Sequence, residues 1–151
     1  MNRLLKTTGL WVLVLVLFAG CDSEGSGADD EQHPAVAQFV LEADGEALVT
    51  AANGTVTGEL TMFTNQETDL IQIKLLRADG TEIEVSEANE LTLRENLANT
   101  SIVTWLRQED PMTFKLRAKG LGQTILSFDL FHQDHRDYES PDITVRVIDT
   151  P

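Results

Sequence analysis

The sequence predicts an all-β fold, a sandwich or barrel of short strands. Three observations carry that expectation. From residue 35 onward, apolar and polar residues alternate in short runs, the period of a strand with one buried face. The dipeptides Asp44-Gly45, Asn53-Gly54 and Asp79-Gly80 punctuate those runs, and such pairs favour tight hairpin turns. No long stretch beyond the first 20 residues keeps a helical period.

The strands follow in order. Residues 36–42 form a first strand, ended by Asp44-Gly45. Residues 47–50 follow and turn at Asn53-Gly54 into a strand over 55–63. A loop at Asn65-Gln66-Glu67-Thr68 leads to 70–77, where Ile71, Ile73 and Leu75 share a face. Asp79-Gly80 turns the chain into 81–85, and residues 86–90 make a single helical turn. Strands over 91–94, 102–106 and 113–117 come next. Gly120-Leu121-Gly122 leads into 124–131, and the last strand covers 143–148. Trp105, on an alternating strand, reads as core rather than as a platform for a sugar ring.

Three segments add a family resemblance. Leu70 to Gly80 ends an apolar strand in Ala78-Asp79-Gly80, residues 99–105 read Asn-Thr-Ser-Ile-Val-Thr-Trp, and residues 114–128 form an apolar hairpin around Gly120 and Gly122. Together they resemble the bacterial immunoglobulin-like domains (group 2-like) of surface and exported proteins, over roughly residues 60–148. The resemblance implies an immunoglobulin-like β-sandwich with a binding or spacing role, and it implies no catalytic residues. Fold by itself does not give function.

The first 21 residues carry an address. Arg3 and Lys6 precede the apolar run Leu10-Trp11-Val12-Leu13-Val14-Leu15-Val16-Leu17-Phe18, which ends in Ala19, Gly20 and the chain's only cysteine, Cys21. Charged, apolar and small regions in that order make a secretion signal. The apolar run is too short to span a bilayer comfortably. The small-small-Cys ending resembles the lipobox of bacterial lipoproteins, although Phe18 stands where those proteins prefer Leu. The resemblance implies diacylglycerol on the Cys21 thiol, cleavage before Cys21, and a fatty acid such as palmitate on the new amino terminus. The predicted organisation is a signal over 1–20, an acidic Gly/Ser linker over 21–34 and the sandwich over 35–151.

Charge narrows the partners. The chain carries 25 acidic and 11 basic residues. Two of the bases lie in the signal, so the mature charge is 9 − 25 = −16. That opposes nucleic acid, whose phosphates need basic patches, and it opposes adsorption to anionic lipid. The membrane is therefore a partner only through the lipid anchor. The acids are scattered along the chain, a pattern that serves solubility.

One constellation carries chemistry. Phe131-His132-Gln133-Asp134-His135-Arg136-Asp137-Tyr138 holds two of the three histidines with carboxylates between and after them. Imidazole and carboxylate suit zinc and similar divalent ions. Period-two alternation through Leu126, Phe128 and Leu130 aims His132 at the inner end of the sandwich, with His135 and Asp137 in a loop before Pro141. The plainer reading is a polar loop, because His-x-x-His-x-Asp matches no specific zinc pattern. The sequence has no Gly-x-Ser-x-Gly elbow, phosphate loop or His-Glu-x-x-His. The expectation is a non-enzymatic, lipid-anchored envelope protein on the periplasmic or surface face. It displays a binding or scaffolding domain to an envelope protein or polymer and needs no cofactor. The alternative is a metal-binding envelope lipoprotein using His132, Asp134, His135 and Asp137.

Overall fold

The computed structural model describes residues 35–149. The expected signal, Cys21 and the linker lie outside the described residues.

Short alternating runs become eleven strands: β1 (Gln38–Ala43), β2 (Glu46–Ala52), β3 (Thr55–Thr57), β4 (Leu60–Phe63), β5 (Ile71–Leu76), β6 (Leu91–Leu97), β7 (Val103–Arg107), β8 (Thr113–Ala118), β9 (Gly122–His132), β10 (His135–Glu139) and β11 (Ile143–Ile148). The single helical turn expected near 86–90 is a 3-10 turn at Glu87–Asn89. One sheet has the order β3-β2-β1-β5-β8-β7. In the other, β9 is flanked by β6 on one side and by β10 and then β11 on the other, with β4 parallel to β11 at the edge. The order β1-β5-β8-β7 against β6-β9-β11 is the arrangement of immunoglobulin-like sandwiches. The β2–β3 hairpin widens the first sheet beyond that set.

The inner faces are the alternating positions. Phe39 and Leu41, Ile71, Ile73 and Leu75, and Phe114 and Leu116 point from the first sheet. Leu126, Phe128, Leu130, Ile143 and Val145 meet them from the second, all buried. The Phe128 ring lies 5.2 Å from Phe39, 5.7 Å from Trp105 and 5.9 Å from Phe114, and Trp105 stacks on Phe114 at 4.0 Å. Each such side chain contributes roughly 1.5–3 kcal/mol by leaving water. Trp105 is thus packed against the core, as its strand position suggested.

The turn dipeptides behave as their chemistry requires. Asp44 and Gly45 have φ of 52° and 83°, and Asn53 and Gly54 have 52° and 74°. Positive φ at both central residues matches the right-handed twist of the strands they join.

Three expectations need correction. The run 55–63 is not one strand. Gly58, at φ 93°, breaks it and sends the chain from the first sheet to the second. The run 81–85 forms no strand. The Asp79 carboxylate accepts from Thr81 N and Oγ1, Arg77 holds the Glu82 carbonyl, and the pairing stops after a single bridge, Leu76 with Glu82. The chain then lays Ile83 over the core, with its N–H on the Leu75 carbonyl at 2.7 Å. Residues 132–137 are not a loop. They form a hairpin in which β10 continues the pairing along β9.

Gly58 is the most demanding backbone position. A Cβ there would overlap the Leu48 carbonyl oxygen, which is backbone and cannot swing aside. Gly58→Ala should therefore destabilise by more than the roughly 1–3 kcal/mol of an unfavourable φ alone. Urea unfolding monitored by tryptophan fluorescence measures it. A loss below about 0.5 kcal/mol, the size of an ordinary surface change, would show that the crossing relaxes freely.

Candidate functional site

The far end of β9 carries the histidine hairpin. Gln133 and Asp134 form the turn, with Gln133 at φ 52°. His132 and His135 stand opposite each other in register, so their side chains share a face. His132 continues the inward series of Leu126, Phe128 and Leu130, and its side chain is 16% exposed. Its Nε2 lies 3.8 Å from a Glu90 carboxylate oxygen. Gln133 reaches the same carboxylate through its side chain, and its backbone N–H donates to the Glu90 carbonyl at 3.0 Å. His135 and Asp134 are exposed, whereas Asp137 is half-buried at a bulge between Arg136 and Tyr138.

The structure brings His132 and His135 together and leaves Asp134 in the turn. Among the described residues, no group of three or more His, Cys, Asp or Glu side chains is arranged to hold a metal ion. Glu90 is the neighbour that sequence reasoning missed. It precedes Leu91, which pairs with His132, and that register has no local signal.

A second feature closes the edge between β6 and β7. Glu95 and Arg107 both sit at inward-facing positions and meet across the gap, Arg107 Nη2 donating to both carboxylate oxygens at 2.8 Å. Beneath them lies a narrow cleft bordered by Trp105 and Phe128.

The third feature is the outer face of β6, β9 and β10. Arg94 lies over the Phe131 ring, 4.0 Å from its centroid. Asp129 accepts from Asn96 at 2.9 Å and from Arg136 at 3.5 Å, and Arg136 also pairs with Glu139 at 3.1 Å. Next to this network is an open depression of about 520 Å³. Ile125 and Ser127 line it with Glu95, Asn96, Leu97, Ala98 and Asp142. It lies where strand pairing breaks between β10 and β11. There the Phe128 N–H donates to Ser140 Oγ at 2.8 Å, and Pro141 has no N–H to give. Strand irregularities such as the bulge between Arg136 and Tyr138 are over-represented next to functional sites. We take this outer face as the candidate site.

No family model and no curated protein matches the chain. Among solved structures it is similar to domains 4 and 5 of the S-layer protein SbsC, with a TM-score of 0.45, 12% identity and 73% of this chain covered. The chain spans about half (53%) of that structure's length. So weak a likeness carries no argument about function, and the fold rests on the strand order above.

Two measurements probe the hairpin. Tyr138 is the chain's one tyrosine. It stands opposite Leu130, and burial pushes its hydroxyl pKa up. The unfolded chain then releases that proton first, so stability should hold up to about pH 10 and fall as pH rises further. Absorbance titration of the phenol should give a higher midpoint for the folded protein than in denaturant; equal midpoints would refute the packing.

Zinc titration in about 0.15 M salt, which screens diffuse attraction beyond roughly 8 Å, should show no saturable site at micromolar metal. One stoichiometric site, lost when His132 and His135 are both replaced by Ala, would promote the metal reading.

Proposed function

We propose that this chain is a lipid-anchored protein of the bacterial cell envelope. It displays one immunoglobulin-like sandwich as a non-enzymatic binding or scaffolding module. One observation carries the reading: the only cysteine stands directly after the Ala19-Gly20 pair that ends the apolar run. Acylation there supplies about 0.8 kcal/mol for each buried methylene, and two or more chains hold a protein stably on a membrane. Residues 22–34 then form a tether with a reach of at most about 45 Å, and β1 begins four residues beyond it.

The described domain supports a binding role over catalysis by how its polar side chains are used. Glu95 and Arg107 brace an edge, Asp129 organises a sheet face, and Ser140 completes a strand. The partner is an envelope protein or polymer on the periplasmic or surface face. A second reading, metal binding at the hairpin, draws on the register pairing of His132 with His135, and the zinc titration decides it.

Cys21→Ser should abolish acylation and release the protein into the soluble fraction. The check is carbonate washing of membranes, with radiolabelled fatty acid followed in parallel. Retention of the unlabelled variant on washed membranes would overturn the anchor.

A further inference from the structure

Over residues 35–151 the acidic residues number 20 and the basic ones 9. Five of the nine basic side chains are paired with carboxylates. Lys74 pairs with Glu42, Arg107 with Glu95, Arg117 with Glu67, Arg136 with Asp129 and Glu139, and Arg146 with Glu59. Arg77 bonds Thr81 and the Glu82 carbonyl, and Lys119 bonds the Thr100 carbonyl. Arg94 has no carboxylate partner among the described residues. It stands directly opposite Asp129 in register, but that carboxylate is held by Asn96 and Arg136. Its guanidinium carbon lies instead 4.0 Å from the centre of the Phe131 ring. Lys115 also lacks a carboxylate, but no ring restrains its flexible chain.

We propose that Arg94, held over Phe131, is the anchor of a docking face for an extended protein segment bearing an aspartate or glutamate. The occupant follows from the chemistry. A ring beneath a guanidinium restrains it without consuming its N–H donors, and those donors form a fork that fits a carboxylate. Restraint before binding lowers the entropy lost on contact. Arginine and aromatic residues are also those that most often dominate binding energy at protein interfaces.

The neighbouring depression gives the rest of the segment a place. From Phe131 to Ile125 the outer face of β9 runs about 20 Å, enough for six or seven extended residues. Ile125 and Leu97 offer apolar contact there and Ser127 and Asn96 polar contact, while Glu95 and Asp142 add two carboxylates to the lining and so confine the segment's own acid to the Arg94 end. Charge selects a peptide over a bilayer or a nucleic acid. A polyanion presents many phosphates to a domain of net charge −11 (9 − 20), whereas a peptide presents one carboxylate to one unpaired guanidinium.

This inference rests on the reading of the domain as a binding module and is independent of the lipid anchor. The test uses the full chain in neutral detergent micelles, with arginine Nε labelled for NMR. The probe is a capped seven-residue peptide of valine and threonine with one central glutamate, and its control carries glutamine there. The glutamate peptide should shift the Arg94 Nε–Hε signal saturably, and the control should bind at least tenfold more weakly. Arg94→Gln should lose at least tenfold in affinity with an unchanged melting temperature. Phe131→Leu, which keeps the charge and removes the ring, should lose at least threefold.

Equal binding of the two peptides, or undiminished binding to Arg94→Gln, would overturn the proposal. So would sodium acetate saturating the same signal with the same affinity, which would make the site one for any small carboxylate. A stronger response to phosphatidylglycerol vesicles than to the peptide would assign the face to anionic lipid and overturn it too. Membrane fractionation of the same preparation reads the anchor separately, so a failure of docking and a failure of anchoring are distinguishable.

Discussion

The contact on which the rest of the structure depends is the meeting of Phe128 with three rings of the opposite sheet, Phe39, Phe114 and Trp105. Phe128 sits mid-way along β9, and the three rings come from β1, β8 and β7. One side chain therefore fixes the spacing of four strands. Nothing covalent can substitute for it, since a chain with a single cysteine can form no internal disulfide. Stability must come from apolar area removed from water. Alternation must then be kept on every strand near this cluster, because a slip of one residue would turn the apolar set outward.

Burying two sheets against each other leaves open edges, and the sequence treats them locally. At the β6–β7 edge, Glu95 and Arg107 occupy positions that alternation would give to apolar side chains. Glu95 is partly buried and Arg107 largely exposed; together they close the gap and discourage another strand from pairing there. At the β4–β11 edge, Arg146 and Glu59 pair at 3.0 Å. The hydrogen bond from Arg146 is the main reason the Glu59 carboxyl is held below the usual range. Solvent-exposed pairs of this kind contribute little to stability. Their value lies in keeping the edge polar.

How much was legible follows from which information is local. Residues 143–148 form β11 as alternation predicts, because period two is written in consecutive residues. The Asp44-Gly45 and Asn53-Gly54 turns are legible for the same reason. The break at Gly58 is not, since Thr55 to Phe63 alternates straight through it and only the nearby Leu48 carbonyl makes glycine necessary. Residues 81–85 alternate well but are drawn off by the Asp79 and Arg77 contacts. At the histidine hairpin, alternation places His132 correctly, yet the pairing that turns 135–139 into a strand depends on β9 continuing beyond Phe131. Glu90 beside His132 and Arg94 over Phe131 depend on the register of β6 against β9, which separates those partners by about forty positions in sequence. No window of sequence contains that information.

The same register explains why the inner and outer faces of β9 can serve different ends. Leu126, Phe128 and Leu130 are fixed by the core, and their fixation sets the positions of Ile125, Ser127, Asp129 and Phe131 between them. An outer face carried by so constrained a strand needs few internal contacts of its own to be ordered. Its side chains are then free to be chosen for contact with something else. Asp129 illustrates the point: it binds Asn96 and Arg136 and so leaves Arg94, its register partner, to the ring of Phe131. Had Asp129 simply paired with Arg94, both charges would be satisfied within the sheet, and the guanidinium would have nothing left to offer. The break at Ser140 and Pro141 acts in the same direction. The Ser140 hydroxyl satisfies the Phe128 N–H, so the pairing with β10 and β11 can part without leaving that buried donor unbonded. An open depression on the outer face is thereby compatible with an intact core directly beneath it.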